Sequence, residues 1–585
     1  MKCFLFIYIK RIDFVLKKIV KNRRGGRMSN IKIIPLGGVR ESGKNMYVVE
    51  VDELIFVLDC GLQYPESEML GIDVVIPDFT YLEQNKNRIA GIFLTHGHED
   101  AVGALPYFLE NIDAPVFGTE LTIELAKLSV KNTGLNPGYN NYHIIDEKAE
   151  IEFENVVVKF FRTTHSIPDS VGICIETIDG AIIYTGDFKF DQSAAPMYQT
   201  DFAKITEIGR GNVLALLSDS SDAESDVENV SDLKVAEEMI DTLHNADGRV
   251  IISAVASNIM RIQQAFDAAH HTKKRVFLTG PKLVQIVETA IKLGKLVLPS
   301  EDLIVTEKEM ERYRDDELVI LETGLSGEPI ESLQRMSTQK HHQVNIKEGD
   351  LVYITTTPST MMETSVAKTK NMLYRAGATV KEISDTFQSS GHATPNDLKL
   401  MINLLKPKYF IPVEGEYRLL AAHADLAHQV GIPYKNIFIP GKGDVIEYSK
   451  DRMRVSGQVP AGNVLIDGIG VGDIGSIVLR DRKLLSEDGI FIAVVTISRR
   501  QSKILSGPEI ISRGFVYMKA SEDLIEESQK LVTKVVQDNL EDKDFEWSKL
   551  KQEIRETLSR YLFEKTKRRP VILPIIMEAS SYGKK

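Results

Sequence analysis

Cysteine is scarce in this sequence: three in 585 residues (Cys3, Cys60 and Cys174), all widely separated. That excludes a disulfide framework and a cysteine-ligated zinc site, and it fits a reducing, cytoplasmic compartment. Long apolar runs are missing too. None approaches the roughly 18 residues that span a bilayer, so no membrane partner is expected. Positive charge is in deficit, with 71 Lys and Arg against 83 Asp and Glu and a formal net charge of -12. A broadly basic nucleic-acid surface is therefore excluded. A focused basic groove is not, because steering depends on where charges sit. Repeats and low-complexity tracts are absent from the sequence as well.

What is present is an ordinary folded-domain composition, 43% hydrophobic and 26% charged. The length predicts roughly three or four domains of about 150 residues each. Residues 1–27 stand apart. Residues 4–9 form a short apolar run broken by Lys10 and Arg11, with no small-residue cleavage site behind it, which makes a poor signal peptide. Arg-Arg-Gly-Gly-Arg before Met28 looks like a translated purine-rich ribosome-binding site. This stretch is expected to be a non-native or disordered extension; a basic amphipathic membrane segment is the other reading.

From residue 31 to about 220, short β-rich runs alternate with Gly-rich turns. Runs 54–58, 91–94, 156–161 and 181–184 read as buried strands. They lead into Asp59, His96, His165 and Asp187, so chemistry sits at strand ends and in the loops that follow. After Asp219 an acidic stretch (Asp222, Glu224, Asp226, Glu228) opens a second run of alternating strands and helices to about residue 383. Site-like residues resume at His392 and Glu414, which predicts that the second domain is inserted into the first. Residues 440–475 are Gly-rich and read as a linker. Beyond them, β-rich runs at 476–479, 490–497 and 515–518 precede two amphipathic helices and a last strand at 571–576. One helical face carries Leu524, Ser528, Leu531, Val535 and Val536. This small α+β unit has no catalytic cluster, so assembly is its expected role.

The chemistry centres on Thr95-His96-Gly97-His98-Glu99-Asp100-Ala101, directly after an apolar strand. Two histidines one residue apart on a loop can face one cation, and imidazole with carboxylate suits zinc or manganese. Surface loops carry such pairs by chance; here His165, Asp187 and Asp100 raise the pair to a metal-type constellation.

These residues resemble the metallo-β-lactamase fold, whose signature reads His-x-His-x-Asp-His. The sequence is more specifically similar to the ribonuclease J family, whose inserted domain is the β-CASP domain. The resemblance covers nearly everything after Met28. It includes Gly37-Gly38-Val39, Gly43-Lys44-Asn45-Met46, Asp59-Cys60-Gly61-Leu62, Gly71-Ile72-Asp73-Val74-Val75-Ile76-Pro77-Asp78, the run from His165 to Gly172, Thr185-Gly186-Asp187, Leu373-Tyr374-Arg375-Ala376-Gly377-Ala378 and Ser390-Gly391-His392. It implies an α/β chain with a metallo-β-lactamase αββα sandwich at 28–225 and 386–450. A β-CASP domain at 226–385, a linker at 451–475 and a C-terminal α+β assembly domain at 476–585 complete the expected layout.

The resemblance also implies the ligands. His96, His98 and His165 match the histidines of a first metal, Asp187 matches the bridging carboxylate, and Asp100 belongs to the second metal with histidines at positions 101 and 414. Here those two positions are Ala101 and Glu414. Alanine offers no donor atom. The remaining second-metal donors, Asp100, Asp187 and Glu414, are all oxygen, which moves preference towards Mn²⁺ or Mg²⁺. One Zn²⁺ at the first position is expected. Asp100, Asp187 and His392 match the catalytic groups; Gln388, Ser389, Ser390, Gly391 and His392 match the loop that holds a substrate phosphate. Ser257 and Asn258 match a further phosphate-contact segment. Other departures fall along the same path. Met260 stands where the family has histidine, Arg40 where it has glycine, and residues 358–363 depart from the expected Pro-x-Gly-Asn-Glu loop. Asp219 fits the first acidic motif of the β-CASP domain, with a turn aspartate as the plain reading.

Two functions follow from the resemblance. One is a ribonuclease J-type phosphodiester hydrolase, a metal-dependent 5′-to-3′ exoribonuclease with endonuclease activity in mRNA decay and rRNA maturation. The other is a weak or inactive subunit that pairs with an active ribonuclease J paralogue as a homo- or heteromeric dimer or tetramer. The departures resemble the second ribonuclease J of Gram-positive bacteria that carry two, and favour the second reading. A small-molecule hydrolase of the β-lactamase kind leaves the inserted domain without a purpose.

Overall fold

Strands rich in Val, Ile and Phe, buried on both faces, build the frame that carries the site. The computed structural model describes residues 29–66, 68–225, 231–323, 329–356, 363–383, 390–468, 470–516, 522–542 and 544–579. The 1–27 extension, Gln388, Ser389 and the loop at 358–362 lie outside the described residues. The chain divides into two units, Met1–Gln63 with Ile76–Asn463, and Tyr64–Val75 with Val464–Lys585.

In the first unit, an eight-stranded sheet runs in the order Arg452–Gln458, Asp444–Ser449, Ile31–Pro35, Tyr47–Val51, Leu54–Leu58, Ile89–Phe93, Val116–Gly118, Tyr142–Ile144. A six-stranded sheet has the order Tyr409–Val413, Val213–Asp219, Gly180–Tyr184, Val171–Thr177, Val156–Arg162, Glu150–Phe153. Side chains of both sheets meet in one core that includes Phe56, Phe93, Phe160, Ile173, Tyr184 and Ile411. The αββα sandwich is therefore present, with helices such as Glu120–Thr133 and Pro395–Leu405 outside the sheets.

A second α/β layer is inserted between Val213–Asp219 and Tyr409–Val413. Those two strands pair in parallel, Ala215 opposite Tyr409 and Asp219 opposite Val413, so the chain leaves the sandwich and returns to the neighbouring position in the same sheet. The insert holds an all-parallel sheet in the order Arg275–Thr279, Leu318–Glu322, Val250–Ser253, Leu351–Ile354, Thr379–Glu382. Its base is tied by a buried bidentate pair: Arg249 donates Nε to Asp350 Oδ1 at 2.9 Å and Nη2 to Asp350 Oδ2 at 2.6 Å. Removing one partner strands a buried charge. Arg249→Ala is expected to cost about 3–5 kcal/mol, read as a lower denaturation midpoint; a loss under about 1 kcal/mol contradicts the assignment.

In the second unit, a three-stranded sheet of Lys503–Arg513, Ile490–Ser498 and Val571–Glu578 packs one face under helices Glu522–Glu541 and Trp547–Thr566. The buried face of the first helix runs through Ser528, Val532 and Val536 to Leu540. Leu531 and Val535, expected beside Ser528 and Val536, are only partly buried.

Two expectations are corrected. The Gly-rich 440–475 stretch is no simple linker: Asp444–Ser449 and Arg452–Gln458 form a hairpin that pairs with Ile31–Pro35 and closes the large sheet. Its glycines serve turns, as at Gly443 with φ 81°. The run at 476–479 is helical, the first turn of Ser476–Asp488, because Ile477, Val478, Leu484 and Leu485 continue at helical spacing.

Candidate metal centre

The strand Ile89–Phe93 ends one residue before Leu94-Thr95, and the chain turns there into the short helix Glu99–Val102. The turn is held by Asp59, buried at the end of Leu54–Leu58 with φ 58°. Its carboxylate accepts from Thr95 N at 2.8 Å, from Thr95 Oγ1, and from Tyr184 Oη at 2.8 Å. Burial pushes its pKa up to about 6 against the pull of His96 and these donors. Thr95 Oγ1 also lies 2.9 Å from His96 Nδ1, so the hydroxyl fixes that ring and turns Nε2 inward. Thr95 and Tyr184 were not singled out from sequence; Thr95's place directly before His96 was the available signal. Asp187 is brought in by Gly186, where φ is 56° and an added Cβ would lie 2.8 Å from Thr95 Cβ, which leaves no room for a side chain.

His96 Nε2 lies 3.5 Å from Asp187 Oδ2 and 3.7 Å from Asp100 Oδ1, and His165 Nε2 lies 3.6 Å from Asp187 Oδ2. The rings of His96, His98 and His165 stand edge to face with centroids 4.9–5.0 Å apart. Among the described residues three donor groups emerge, His96–His98–His165, His96–Asp100–Asp187 and Asp187–Asp219–His392. His96 Nε2, Asp100 Oδ1, Asp187 Oδ1 and Glu414 Oε2 are buried and make no hydrogen bond among the described residues. Unpaired buried donors and acceptors are costly, and those of His96, Asp100 and Asp187, whose ligand atoms lie within 4.8 Å of one another, fit a cation. His98 is committed differently: Nδ1 lies 2.6 Å from Ser257 Oγ, on the insert, and Nε2 lies 2.7 Å from Ser166 Oγ. Burial and the neighbouring His96 depress its pKa to about 3, so the ring is neutral.

The second half of the centre is all carboxylate. Ala101 is fully buried and its methyl group supplies no ligand atom. Glu414 is buried at φ 56°, pinned by its N–H on Gly38 O at 2.6 Å and by its carbonyl on Ser220 N at 3.2 Å. Burial, with Asp219 and Asp100 nearby, lifts the Glu414 carboxyl to about 7. Burial and the Glu414 and Asp100 charges also lift Asp187 far above the usual carboxylate range. Asp100 goes the other way, to about 2, where burial is outweighed by His96. A cation would relieve this crowding.

His392 Nδ1 lies 2.8 Å from Asp219 Oδ2, and the ring stands 5.5 Å from that of His165. Burial opposes its charge, but the Asp219 carboxylate raises it to about 10, so it is an imidazolium at neutral pH. Asp219 is also a turn aspartate, accepting from Ser221 N at 2.9 Å. Gly391 O binds His165 Nδ1 at 2.8 Å, while Ser390 Oγ accepts from His392 N at 3.1 Å. Ser257 meets the centre through His98. Asn258 instead caps the helix Ile259–His271, its Oδ1 accepting from Arg261 N at 2.9 Å.

The departures have local accommodations. Met260 packs with Ala194 and Tyr198 in a small apolar cluster. Arg40 takes φ 58°, and its guanidinium lies over the Tyr417 ring at 5.3 Å and donates to Pro440 O and Ile439 O. Among the described residues no helix is long and apolar enough to cross a membrane.

Four family models match. They are the metallo-beta-lactamase superfamily over residues 39–236, the ribonuclease J beta-CASP domain over 247–373, the Zn-dependent metallo-hydrolase RNA specificity domain over 380–440, and the ribonuclease J C-terminal domain over 477–579. Among similar proteins, the ribonuclease J 2 of Streptococcus pyogenes is 54% identical over 551 residues, 94% of this chain and 100% of that one. The ribonuclease J 2 of Staphylococcus saprophyticus is 49% identical over 549 residues, covering 94% of this chain and 98% of that one. A solved structure of a protein of unknown function from Enterococcus faecalis aligns with a TM-score of 0.50 at 14% identity, over 72% of this chain and 100% of that one. That likeness speaks for the fold alone.

Proposed function

The chain belongs to the ribonuclease J family, and from that premise we propose that its own hydrolysis of RNA is weak or lost. It is an RNA-processing protein of the ribonuclease J type. In this reading it serves as the partner subunit of an active ribonuclease J in mRNA decay and rRNA maturation. One observation carries the proposal: beside His96 and His165 the centre offers Asp100 and Asp187, with Glu414 interacting with Asp187, but no imidazole at position 101 or 414.

His96, His165 and Asp187 would hold one zinc ion, with His98 joining if its serine contacts are exchanged. A bound cation of this kind supplies a polarised phosphate oxygen and a water of lowered pKa. The chain's own groups bind and orient. His392, kept charged by Asp219, attracts a substrate phosphate; Ser390 and the Gly391 backbone lie beside it as polar contacts, and Ser257 lies on His98. Gln388 and Ser389 belong to the same proposed phosphate loop. With the second position lacking nitrogen donors, the charge that develops on the leaving oxygen meets little compensation.

The alternative is a fully active exoribonuclease. The observation in its favour is the trio of carboxylates, which could hold Mn²⁺ or Mg²⁺ in place of a second zinc. One preparation separates the two readings when both cleavage of 5′-monophosphorylated RNA and bound metal are measured on it. We expect little cleavage and at most one tightly held transition metal per chain. Robust turnover abolished by His96→Ala, with two metals bound, would refute the proposal.

A further inference from the structure

Arg40 stands where the backbone would favour glycine. Its φ of 58° is a left-handed conformation that glycine takes freely and a long side chain only against steric resistance. Such a residue persists where its surroundings fix it, and those surroundings point to a role. The side chain is exposed but committed. Its guanidinium lies over the Tyr417 ring at 5.3 Å, donates Nε to Pro440 O at 3.2 Å and donates Nη2 to Ile439 O at 3.4 Å. One planar group therefore ties its own turn to the turn at 414–417 and to residues 439–440.

The turn that carries Arg40 also holds Glu414. The Glu414 N–H donates to Gly38 O at 2.6 Å, and the next N–H, of Gly415, donates to Glu41 O at 3.1 Å. Glu41 and Gly415 form an antiparallel bridge, so Arg40 lies between the two carbonyls that receive the Glu414 turn. One side of the arrangement is braced by charge: Glu41 Oε1 lies 2.9 Å from Lys44 Nζ, and Oε2 lies 2.7 Å from Lys442 Nζ. The other side is held by Arg40 on Tyr417, the first residue of the helix Tyr417–Gln429 and 55% exposed. Glu414 needs this support. It too is left-handed, at φ 56°, and its Oε2 makes no hydrogen bond among the described residues. Apart from its interaction with Asp187, the carboxyl is placed by its backbone.

We propose that Arg40 is a positioning residue for Glu414: its guanidinium locks the 414–417 turn and so keeps this carboxylate in place for an oxygen-preferring divalent cation. The proposal rests on the reading that Glu414 joins Asp100 and Asp187 as an oxygen donor. Mn²⁺ fits that donor class, and a loosely held Mn²⁺ is compatible with one tightly held ion. A planar fork that stacks and donates at once is what arginine offers and lysine does not. The sign of the effect is diagnostic. Removing a positive charge near a cation site tightens binding on Coulomb grounds alone, whereas removing a support loosens it.

The probe is Mn²⁺, added to the full chain already loaded with one equivalent of Zn²⁺, with free Mn²⁺ read by electron paramagnetic resonance. Amide exchange over residues 412–418, read by mass spectrometry before Mn²⁺ is added, reports on the turn itself. Arg40→Gly is expected to speed that exchange and to weaken Mn²⁺ binding, each by about tenfold. Arg40→Lys keeps the charge and is expected to follow Arg40→Gly; Tyr417→Phe keeps the ring and is expected to match the unaltered chain. Glycine suits this backbone, so Arg40→Gly folds, and an undiminished thermal midpoint checks that. Unchanged exchange in Arg40→Gly overturns the proposal, and so does Mn²⁺ held as tightly or more tightly. Glu414→Gln is measured alongside. If it abolishes Mn²⁺ binding while Arg40→Gly leaves binding intact, the positioning role alone falls. If Glu414→Gln leaves Mn²⁺ binding intact, or the unaltered chain takes up none, the reading of Glu414 as a donor falls and takes the proposal with it.

Discussion

Replacing Ala101 and Glu414 together by histidine is expected to raise bound transition metal from one ion per chain to two. It should raise cleavage of 5′-monophosphorylated RNA by roughly 10²–10³, the scale on which a single well-placed electrostatic contact to a developing charge acts. The two positions pose different steric problems. Glu414 sits at φ 56°, a left-handed conformation that histidine tolerates better than most residues, so the backbone accepts that exchange. Ala101 is fully buried, with its carbonyl bonded to Cys60 N at 2.7 Å. An imidazole there must find space towards Asp100 and Asp187 or overpack the core at about 1–3 kcal/mol. The double variant is therefore expected to be less stable without metal and to recover when metal is added. Either single variant should bind the second ion weakly. Metal analysis beside single-turnover cleavage decides the matter: two bound metals with unchanged turnover would place the defect in the phosphate loop and not at the second metal.

The second large effect concerns metal removal and pH. Stripped of metal, the protein holds Glu414 with its carboxyl raised to about 7 and Asp187 raised well above the ordinary carboxylate range, both above their unfolded values. A carboxyl raised on folding contributes stability that is complete below its unfolded pKa and lost as pH rises through its folded pKa. His392, raised to about 10, acts in the same sense, its contribution fading above about 6.5. Asp100, lowered to about 2, holds its contribution in full above about pH 4 and loses it only as pH falls towards 2, so it adds no slope near neutrality. The metal-free protein should therefore weaken between pH 5 and 8, by roughly 3 kcal/mol from Glu414 alone. For a unit of this size that corresponds to a Tm fall of roughly 3 °C. A bound cation replaces the shared protons and flattens the profile. Calorimetry with and without chelator checks this, and Glu414→Gln should reduce the slope by the share of that residue. A chelated protein whose Tm climbs with pH over that interval contradicts the arrangement of charges.

Much of this was legible in the residues. His96, His98, His165, Asp100 and Asp187 follow apolar strands, and strand ends are where a sandwich delivers side chains. The insertion was legible because site-like residues stop after Asp219 and resume at His392. What lay beyond reach depends on tertiary context. The Asp59–Thr95–His96 relay needs three strands in register, and threonine before histidine is too common a pair to stand out. Ser166, on the sandwich, and Ser257, on the insert, converge on His98, a meeting no spacing encodes. The hairpin hidden in the Gly-rich 440–475 stretch was masked because its glycines look the same in a turn as in a linker. The run at 476–479 misled because four residues of Ser-Ile-Val-Leu satisfy a strand and a first helical turn equally.

The parallel pairing of Val213–Asp219 with Tyr409–Val413 carries a consequence for synthesis. The first of these strands leaves the ribosome long before the second, because residues 220–408 must be made in between. Until Tyr409 arrives, the early strand is a bare edge, rich in leucine and open to wrong partners. The inserted domain has its own core and can close on itself while the chain waits, bringing the two ends together before the missing strand is needed. Glu414 follows directly on that late strand, so the centre gains its last carboxylate only when the sandwich closes. A ribosome stalled before Tyr409 would release a chain that already carries every histidine of the first group and none of the protection that its open sheet requires.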